Sequence, residues 1–192
     1  MSVQKAIDLS GNLEFEQGNK QIIFTENLSK MFGDITDAAS FDEDKNSHTI
    51  GKILESYLES GQPLVSKFEW QARQDYYDRF LLFGSKKHQI TLMALIWPEN
   101  TFSPIHYHKA WCIFGIYSGA LAETIYLPQD GNEEKLAEKA TRHYPKNAWA
   151  YDSSKEKYYH RLGNHSPAPA ISFHIYGVSP DNLHKINCAV IR

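Results

Sequence analysis

The stretch WCIFGIYSGALAETIYL, residues 111–127, carries the reading of the fold. Trp111–Tyr117 and Ala120–Leu127 are rich in β-branched and aromatic residues, and Ser118-Gly119 between them is a tight-turn pair. The stretch therefore predicts two strands joined as a hairpin. Further runs of the same texture lie on either side, at Arg79–Phe83, His88–Trp97, Ala148–Tyr151, Ala170–Gly177 and Lys185–Ile191. Turn-forming residues punctuate them at Gly84-Ser85, Pro98-Glu99-Asn100, Pro128 to Asn132 and Pro180-Asp181-Asn182. Many short strands in close succession, with no helix between them, indicate a sandwich or barrel and not a parallel α/β sheet. One charged stretch, Glu133 to Lys139, reads instead as a helical turn.

Before Pro63 the texture is helical. Leu28, Met31, Phe32 and Ile35 recur at spacings of three and four, as do Ile50, Ile53, Leu54, Tyr57 and Leu58. Asp42 to Ser47 reads as the separator of the two helices, and Gly61-Gln62-Pro63 as their end. Residues 1 to about 20 are polar and weakly patterned, which suggests a loose arm or a short peripheral strand. The organisation expected is one structural domain, with residues 1–62 as an arm and helices packed on a β-barrel of residues 63–192.

Bulk properties exclude several classes. A chain of 192 residues, 42% hydrophobic and 22% charged, has room for a real core. A formal net charge of −3 gives no polyelectrolyte signature, so nucleic acid is not an expected partner. The longest apolar runs, such as Leu92 to Trp97, are too short to span a bilayer, and no apolar stretch of signal-peptide length follows Met1. Two cysteines, Cys112 and Cys188, do not make a disulfide scaffold. A cytoplasmic protein with no membrane partner is expected; nothing in the sequence speaks to its oligomeric state.

Nine histidines stand out, several of them close together in the second half. In Pro104-Ile105-His106-Tyr107-His108 the two histidines alternate with tyrosine. In a strand, such residues share one face about 6–7 Å apart, so their imidazoles can converge on one metal ion. A third ligand must then come from elsewhere. His160-Arg161-Leu162-Gly163-Asn164 and Ser172-Phe173-His174-Ile175-Tyr176-Gly177 both offer one, and spacing alone leaves His160 and His174 open. The second segment alternates cleanly, with Ile171, Phe173 and Ile175 on one face and Ser172, His174 and Tyr176 on the other. An edge strand with a solvated polar face would look the same. His48, His88, His143 and His184 have no partner at ligand spacing, and His165 reads as a surface residue.

These blocks resemble the cupins, whose fold is a double-stranded β-helix, a jelly-roll barrel. His-x-His at 106–108, with a glycine turn eleven residues after the second histidine, looks like cupin motif one; His160-x-x-x-Asn164 looks like the end of motif two. Among cupins the chain resembles the thiol dioxygenases of the cysteine dioxygenase and 3-mercaptopropionate dioxygenase type, over roughly Tyr77 to Gly177. The specific match is Ser172-x-His174-x-Tyr176 following the H-x-x-x-N block. Where general cupin motif two has P-x-G, this chain reads Lys155 and Lys157, a departure that the thiol dioxygenases share. His108 to Trp111 and His174 to Gly177 look more like the bacterial mercaptopropionate type than the animal type.

The resemblance implies an Fe(II) ion held by His106, His108 and His160, with His174 outside the ligand set and bonded to Ser172 and Tyr176. It implies that Arg79 of Tyr77-x-Arg79 binds a substrate carboxylate, for which a guanidinium is suited because it offers two parallel hydrogen bonds. It also raises a thioether between Cys112 and Tyr176. Counted back from Gly119, Cys112 matches the cross-linked cysteine of animal cysteine dioxygenases; counted forward from His108 it is one residue short. A buried apolar cysteine is the plain alternative. The implied reaction joins a small thiol and O2 as RSH + O2 → RSO2H, with no external reductant. Two other readings keep parts of this set. Another metal cupin would need the histidines but not Arg79 or Ser172-His174-Tyr176, and a non-catalytic ligand-binding cupin would need neither.

Overall fold

The computed structural model describes residues 4–7, 13–40, 42–71, 76–155 and 157–186. The helical periodicity of the N-terminal third becomes α1 (Glu26–Ala38) and α2 (Glu43–Glu59), whose apolar stripes bury Leu28, Met31 and Ile35, and Ile50, Leu54 and Leu58. Each such side chain taken out of water contributes roughly 1.5–3 kcal/mol. Asp42 caps α2, its Oδ1 accepting from the backbone N–H of Asp44 at 3.0 Å and Lys45 at 3.3 Å. The polar stretch 42–47 is therefore mostly the first turns of a helix and not a separator. Its acidic residues suit the positive end of the helix dipole. Gly61 ends the unit with a φ of 71°, a left-handed value that glycine adopts at no steric cost.

The N-terminal arm is more structured than its composition suggests. β1 (Gln4–Ile7), β2 (Leu13–Gln17) and β3 (Lys20–Phe24) pair antiparallel in sequence, and β4 (Val65–Glu69), which the sequence pattern does not reveal, closes them into a four-stranded sheet. Leu13, Phe15, Ile22 and Phe24 of this sheet are buried together with the helical stripes.

The remaining strands form two further sheets. One has the order β10-β7-β12-β6-β5, from β10 (Trp149–Asp152), β7 (Cys112–Ser118), β12 (Ala170–Tyr176), β6 (Ile90–Trp97) and β5 (Asp78–Ser85). The other has the order β11-β8-β9, from β11 (Tyr159–Gly163), β8 (Leu121–Gln129) and β9 (Asn132–Tyr144). This is the mainly β cupin barrel with its N-terminal helices. The five-stranded sheet is covered on both sides. Leu92, Ala94, Ile96, Phe173 and Ile175 join the core under the helices. Leu95, Trp97, Phe114, Ile116 and Ala170 meet Leu121 and Leu162 of the three-stranded sheet in a second core. Burial on both faces is why β6 reads as a nearly unbroken apolar run.

Three expectations are corrected. The stretch 111–127 does contain two strands, but they are not a hairpin. β7 pairs with β10 and β12, while β8 pairs with β9 and β11. Gly119, at φ 77°, makes the corner between the sheets, and a Cβ there would lie 2.8 Å from that of Ala170. Glu133 to Lys139 is not a helical turn; it lies within β9, which returns along β8 after a two-residue turn at Asp130 (φ 50°) and Gly131 (φ 73°). Asp-Gly favours this turn because both positions need positive φ, and the charges sit on a largely solvated strand. Finally, Lys185 ends a 3-10 helix, Pro180–Lys185, so the expected strand does not start there; its residues 187–191, including Cys188, lie outside the described residues. No helix among the described residues is long and apolar enough to cross a membrane.

Candidate metal centre

His106 and His108 do not lie in a regular strand. The segment around them runs beside β11, with isolated bridges pairing Phe102 with Gly163 and His106 with His160. His106 and His160 exchange both backbone hydrogen bonds, at 2.9 and 2.8 Å, which fixes the two side chains side by side. Ser103 reinforces the seam: its N–H donates to the Leu162 carbonyl at 2.8 Å, and its Oγ accepts from the Leu162 N–H at 3.0 Å. Asn164 is fully buried and staples the end of β11. Its amide donates to the carbonyls of Trp97, Pro98 and Ala168, and its Oδ1 accepts from the backbone and hydroxyl of Ser166.

The ligating atoms of His106, His108 and His160 all lie within 4.8 Å of one another, so these three could hold a metal ion. His174 is not in that group. Each of the three rings is held from behind. His106 Nδ1 donates to the Pro104 carbonyl at 2.8 Å, His108 Nδ1 to Asp152 Oδ2 at 2.7 Å, and His160 Nδ1 to Glu123 Oε1 at 2.8 Å. With the proton on Nδ1, each Nε2 carries its lone pair toward the centre. Buried His160 Nε2 has no hydrogen-bond partner among the described residues. An orphaned lone pair in the protein interior is costly unless something coordinates it, so the donor set fits a metal ion. Electrostatics agree. Burial, followed by repulsion from His108, pushes the His160 imidazole down to about 3, and burial with the neighbouring histidines pushes His106 well below its ordinary value. Both rings are neutral at neutral pH, as ligation requires. Burial pushes the Glu123 carboxyl up, against a hydrogen bond from Tyr144 Oη at 2.7 Å.

The sequence pattern does not single out Asp152 or Glu123. Asp152 ends a strand run, and Glu123 is the only acidic residue within the apolar run Ala120–Leu127. That isolation is the one signal available, and it names no partner.

Ser172, His174 and Tyr176 lie on β12, which is a central strand paired with both β6 and β7. Ser172 and His174 are buried, so the solvated-edge reading does not hold. Trp97 Nε1 donates to Ser172 Oγ at 2.8 Å, and Ser172 Oγ lies 2.9 Å from His174 Nε2. Ser172 Oγ thus accepts from the indole and also shares a hydrogen bond with the imidazole. His174 Nδ1 lies 3.9 Å from Cys112 Sγ. The ring is stacked on Phe114, with the Tyr176 ring 6.1 Å away. Trp97 is thus an added member of the expected Ser172–His174 unit. Cys112 is fully buried and faces Tyr176 directly across the β7–β12 ladder.

His106, His108, His160, His174 and Tyr176 line one cavity of about 670 Å³, with Arg79 and Tyr77 at its wall and Leu95, Phe114 and Leu162 as apolar lining. Tyr77 stacks on Trp97 at 4.4 Å, and the Arg79 guanidinium lies 5.9 Å from the Tyr77 ring centre. His184, for which the sequence offers no role, also lines this cavity from the 3-10 helix. His165 packs edge-on against Phe102 instead.

No curated protein matches the chain in sequence. Among solved structures, a protein from Thermus thermophilus is similar at 11% identity and a TM-score of 0.45, over 58% of this chain and 91% of that one. An RmlC-like cupin family protein with a double-stranded β-helix fold from Methanocaldococcus jannaschii has 14% identity and a TM-score of 0.42, over 60% and 93%. Oxalate oxidase in complex with the substrate analogue glycolate has 14% identity and a TM-score of 0.46, over 62% of this chain and 57% of its own. The family model for cysteine dioxygenase type I matches residues 32–187, a span containing every cavity-lining histidine. The chain belongs to the cysteine dioxygenase type I family.

Proposed function

We propose that this protein is a non-haem iron thiol dioxygenase that converts a small carboxylate-bearing thiol, cysteine or 3-mercaptopropionate, and O2 to the sulfinic acid. The observation that carries this reading is the trio of histidines, each backed at Nδ1 and aimed at a cavity that Arg79 also lines. His106, His108 and His160 would hold an iron(II) ion through three neutral imidazoles, and its undiminished 2+ charge would supply the thiol-acidifying and oxygen-activating chemistry.

The chain's own residues then have distinct tasks. Arg79 grips the carboxylate and aims the sulfur inward, a positioning effect. Leu95, Phe114 and Leu162 keep the reacting end dry, which strengthens every charge interaction there. His174, its Nε2 occupied by Ser172, sets the position of the Tyr176 ring next to the histidines; His108 and Tyr176 have ring centres 5.6 Å apart. The Tyr176 hydroxyl serves as the proton-bearing group beside substrate. The direct cross-strand placement of Cys112 and Tyr176 supports a thioether between them. A cytosolic setting, where thiols stay reduced, suits the reaction.

Oxygen uptake by the iron-loaded protein with cysteine, 3-mercaptopropionate and mercaptosuccinate tests the proposal. Stoichiometric sulfinate from at least one of them is expected, and failure with all three despite bound iron would sink it. Mass spectrometry of the tryptic peptides carrying Cys112 and Tyr176 decides the cross-link, in which a C–S bond replaces the Cys112 S–H and a Tyr176 ring C–H while O2 accepts the two hydrogens lost from the summed mass.

A further inference from the structure

Glu43, the first residue of α2, is remote in sequence from every residue of the histidine centre. Yet its carboxylate accepts four hydrogen bonds, all from one short segment, 151–154. Tyr151 Oη at 2.5 Å, Ser153 Oγ at 2.7 Å and the Ser154 N–H at 2.9 Å donate to Oε1, and the Ser154 hydroxyl donates to Oε2. Asp152 sits in the middle of that segment, and its Oδ2 holds His108 Nδ1. A second contact braces the other end of the same strand. Trp149, at the start of β10, lies over Gly51 of α2, where an added Cβ would come within 2.3 Å of the indole ring. Helix α2 therefore grips β10 at both ends.

We propose that Glu43 is a positioning residue for the metal centre, holding segment 151–154 so that the Asp152 carboxylate meets His108 Nδ1. The physical reason is the direction of the restraint. Tyr151 and Ser153 flank Asp152 and are tied to one carboxylate, so the intervening backbone cannot rotate without breaking two bonds at once. A ligating imidazole must be held to within about half an ångström, and this requires that its backing group be held too. The clamp gives the N-terminal helices a task at the site although none of their residues lines the cavity. Burial alone would push the Glu43 carboxyl up, but the hydrogen bonds from Ser154, Tyr151 and Ser153 outweigh it and bring it down to about 2. The clamp is accordingly charged at neutral pH.

The inference rests on the reading of the three histidines as a metal site. The test is a chelator-competition measurement of Co(II) affinity on the full chain, with the thermal midpoint of the metal-free protein recorded alongside. Glu43→Gln is expected to weaken Co(II) binding about tenfold, the low end of what loss of a ligand's supporting partner costs. Leu28→Ala, in the buried stripe of α1, should lower the thermal midpoint at least as far while leaving affinity within about twofold. In an Asp152→Asn background, Glu43→Gln should cost almost nothing further, because both changes act through the same imidazole. Should Glu43→Gln fail to fold, Ser153→Ala removes one bond of the clamp and is expected to weaken Co(II) binding about threefold. Unchanged affinity in these variants, or full additivity with Asp152→Asn, would overturn the inference. If the wild-type chain binds no divalent ion at all, it is the metal-site reading that falls.

Discussion

The two faces of β12 are both buried over residues 171–175, and for opposite reasons. Ile171, Phe173 and Ile175 turn toward the helices, with Phe173 and Ile175 in a purely apolar core where Phe173 meets Phe24 and Tyr117 edge-on or tilted. Ser172 and His174, one residue out of step, are as deeply buried but polar, and each has a named hydrogen-bond partner. The apolar face tolerates other apolar side chains of suitable volume, since dispersion and hydration set its stability. The polar face does not, because a buried donor or acceptor left without its partner costs about 1–3 kcal/mol. One face is therefore specified by size and the other by chemistry.

Mutations on the two sides should separate these roles. The largest effect is expected from His160→Ala, which should abolish metal retention and oxygen uptake, measured as metal content after desalting and by an oxygen electrode. Retention of stoichiometric metal by this variant would break the comparison. On the apolar side, Phe173→Ala should cost about 3–5 kcal/mol of stability by denaturant titration, with metal affinity of the folded fraction unchanged. Asp152→Asn and Glu123→Gln should each weaken metal binding about 10- to 100-fold with little loss of fold, read by chelator competition. Arg79→Ala should raise KM for thiol acids by about 10- to 100-fold, the range for a charge-assisted hydrogen bond of about 1.5–3 kcal/mol, and leave metal content intact. Equal losses for an uncharged thiol would argue against a carboxylate role.

The smallest effect concerns pH. The Glu43 carboxyl is lowered to about 2 from an ordinary value of 4.5. A depressed carboxyl contributes stability that is fully present above about 4.5 and is lost as pH falls toward 2. The stability gap between wild type and Glu43→Gln, measured by urea titration, should therefore shrink as pH falls from about 4.5 to about 2. A constant gap would show that the clamp's charge is not what stabilises it.

Much of this molecule is legible in its sequence. The period of the apolar residues in 28–35 and 50–58 is local information, and both helices form where it places them. The alternation in 171–176 likewise assigns side chains to faces, and the His-x-His spacing marks the centre of the site. Local rules fail where the partner is distant. Whether Ser118-Gly119 closes a hairpin or turns a corner depends on which strands compete for β7 and β8, and those lie as far away as β11 and β12. Glu133 to Lys139 has helix-forming composition, but its place in a thirteen-residue strand laddered to β8 by backbone bonds outweighs it.

By itself, then, the sequence determined the two helices, most of the barrel strands, the alternating faces of β12 and the histidine pair, because propensity and periodicity act over a few residues. The choice of His160 over His174 as the third of the close group belongs to the tertiary structure, since only the bridge between His106 and His160 brings those rings together. So do the carboxylates behind the ligating side chains, Asp152 at 44 residues from His108 and Glu123 at 37 from His160. Glu43 is more distant still, 108 residues from Tyr151. A hydrogen bond needs two atoms within about 3 Å, and no spacing rule along the chain reports that distance.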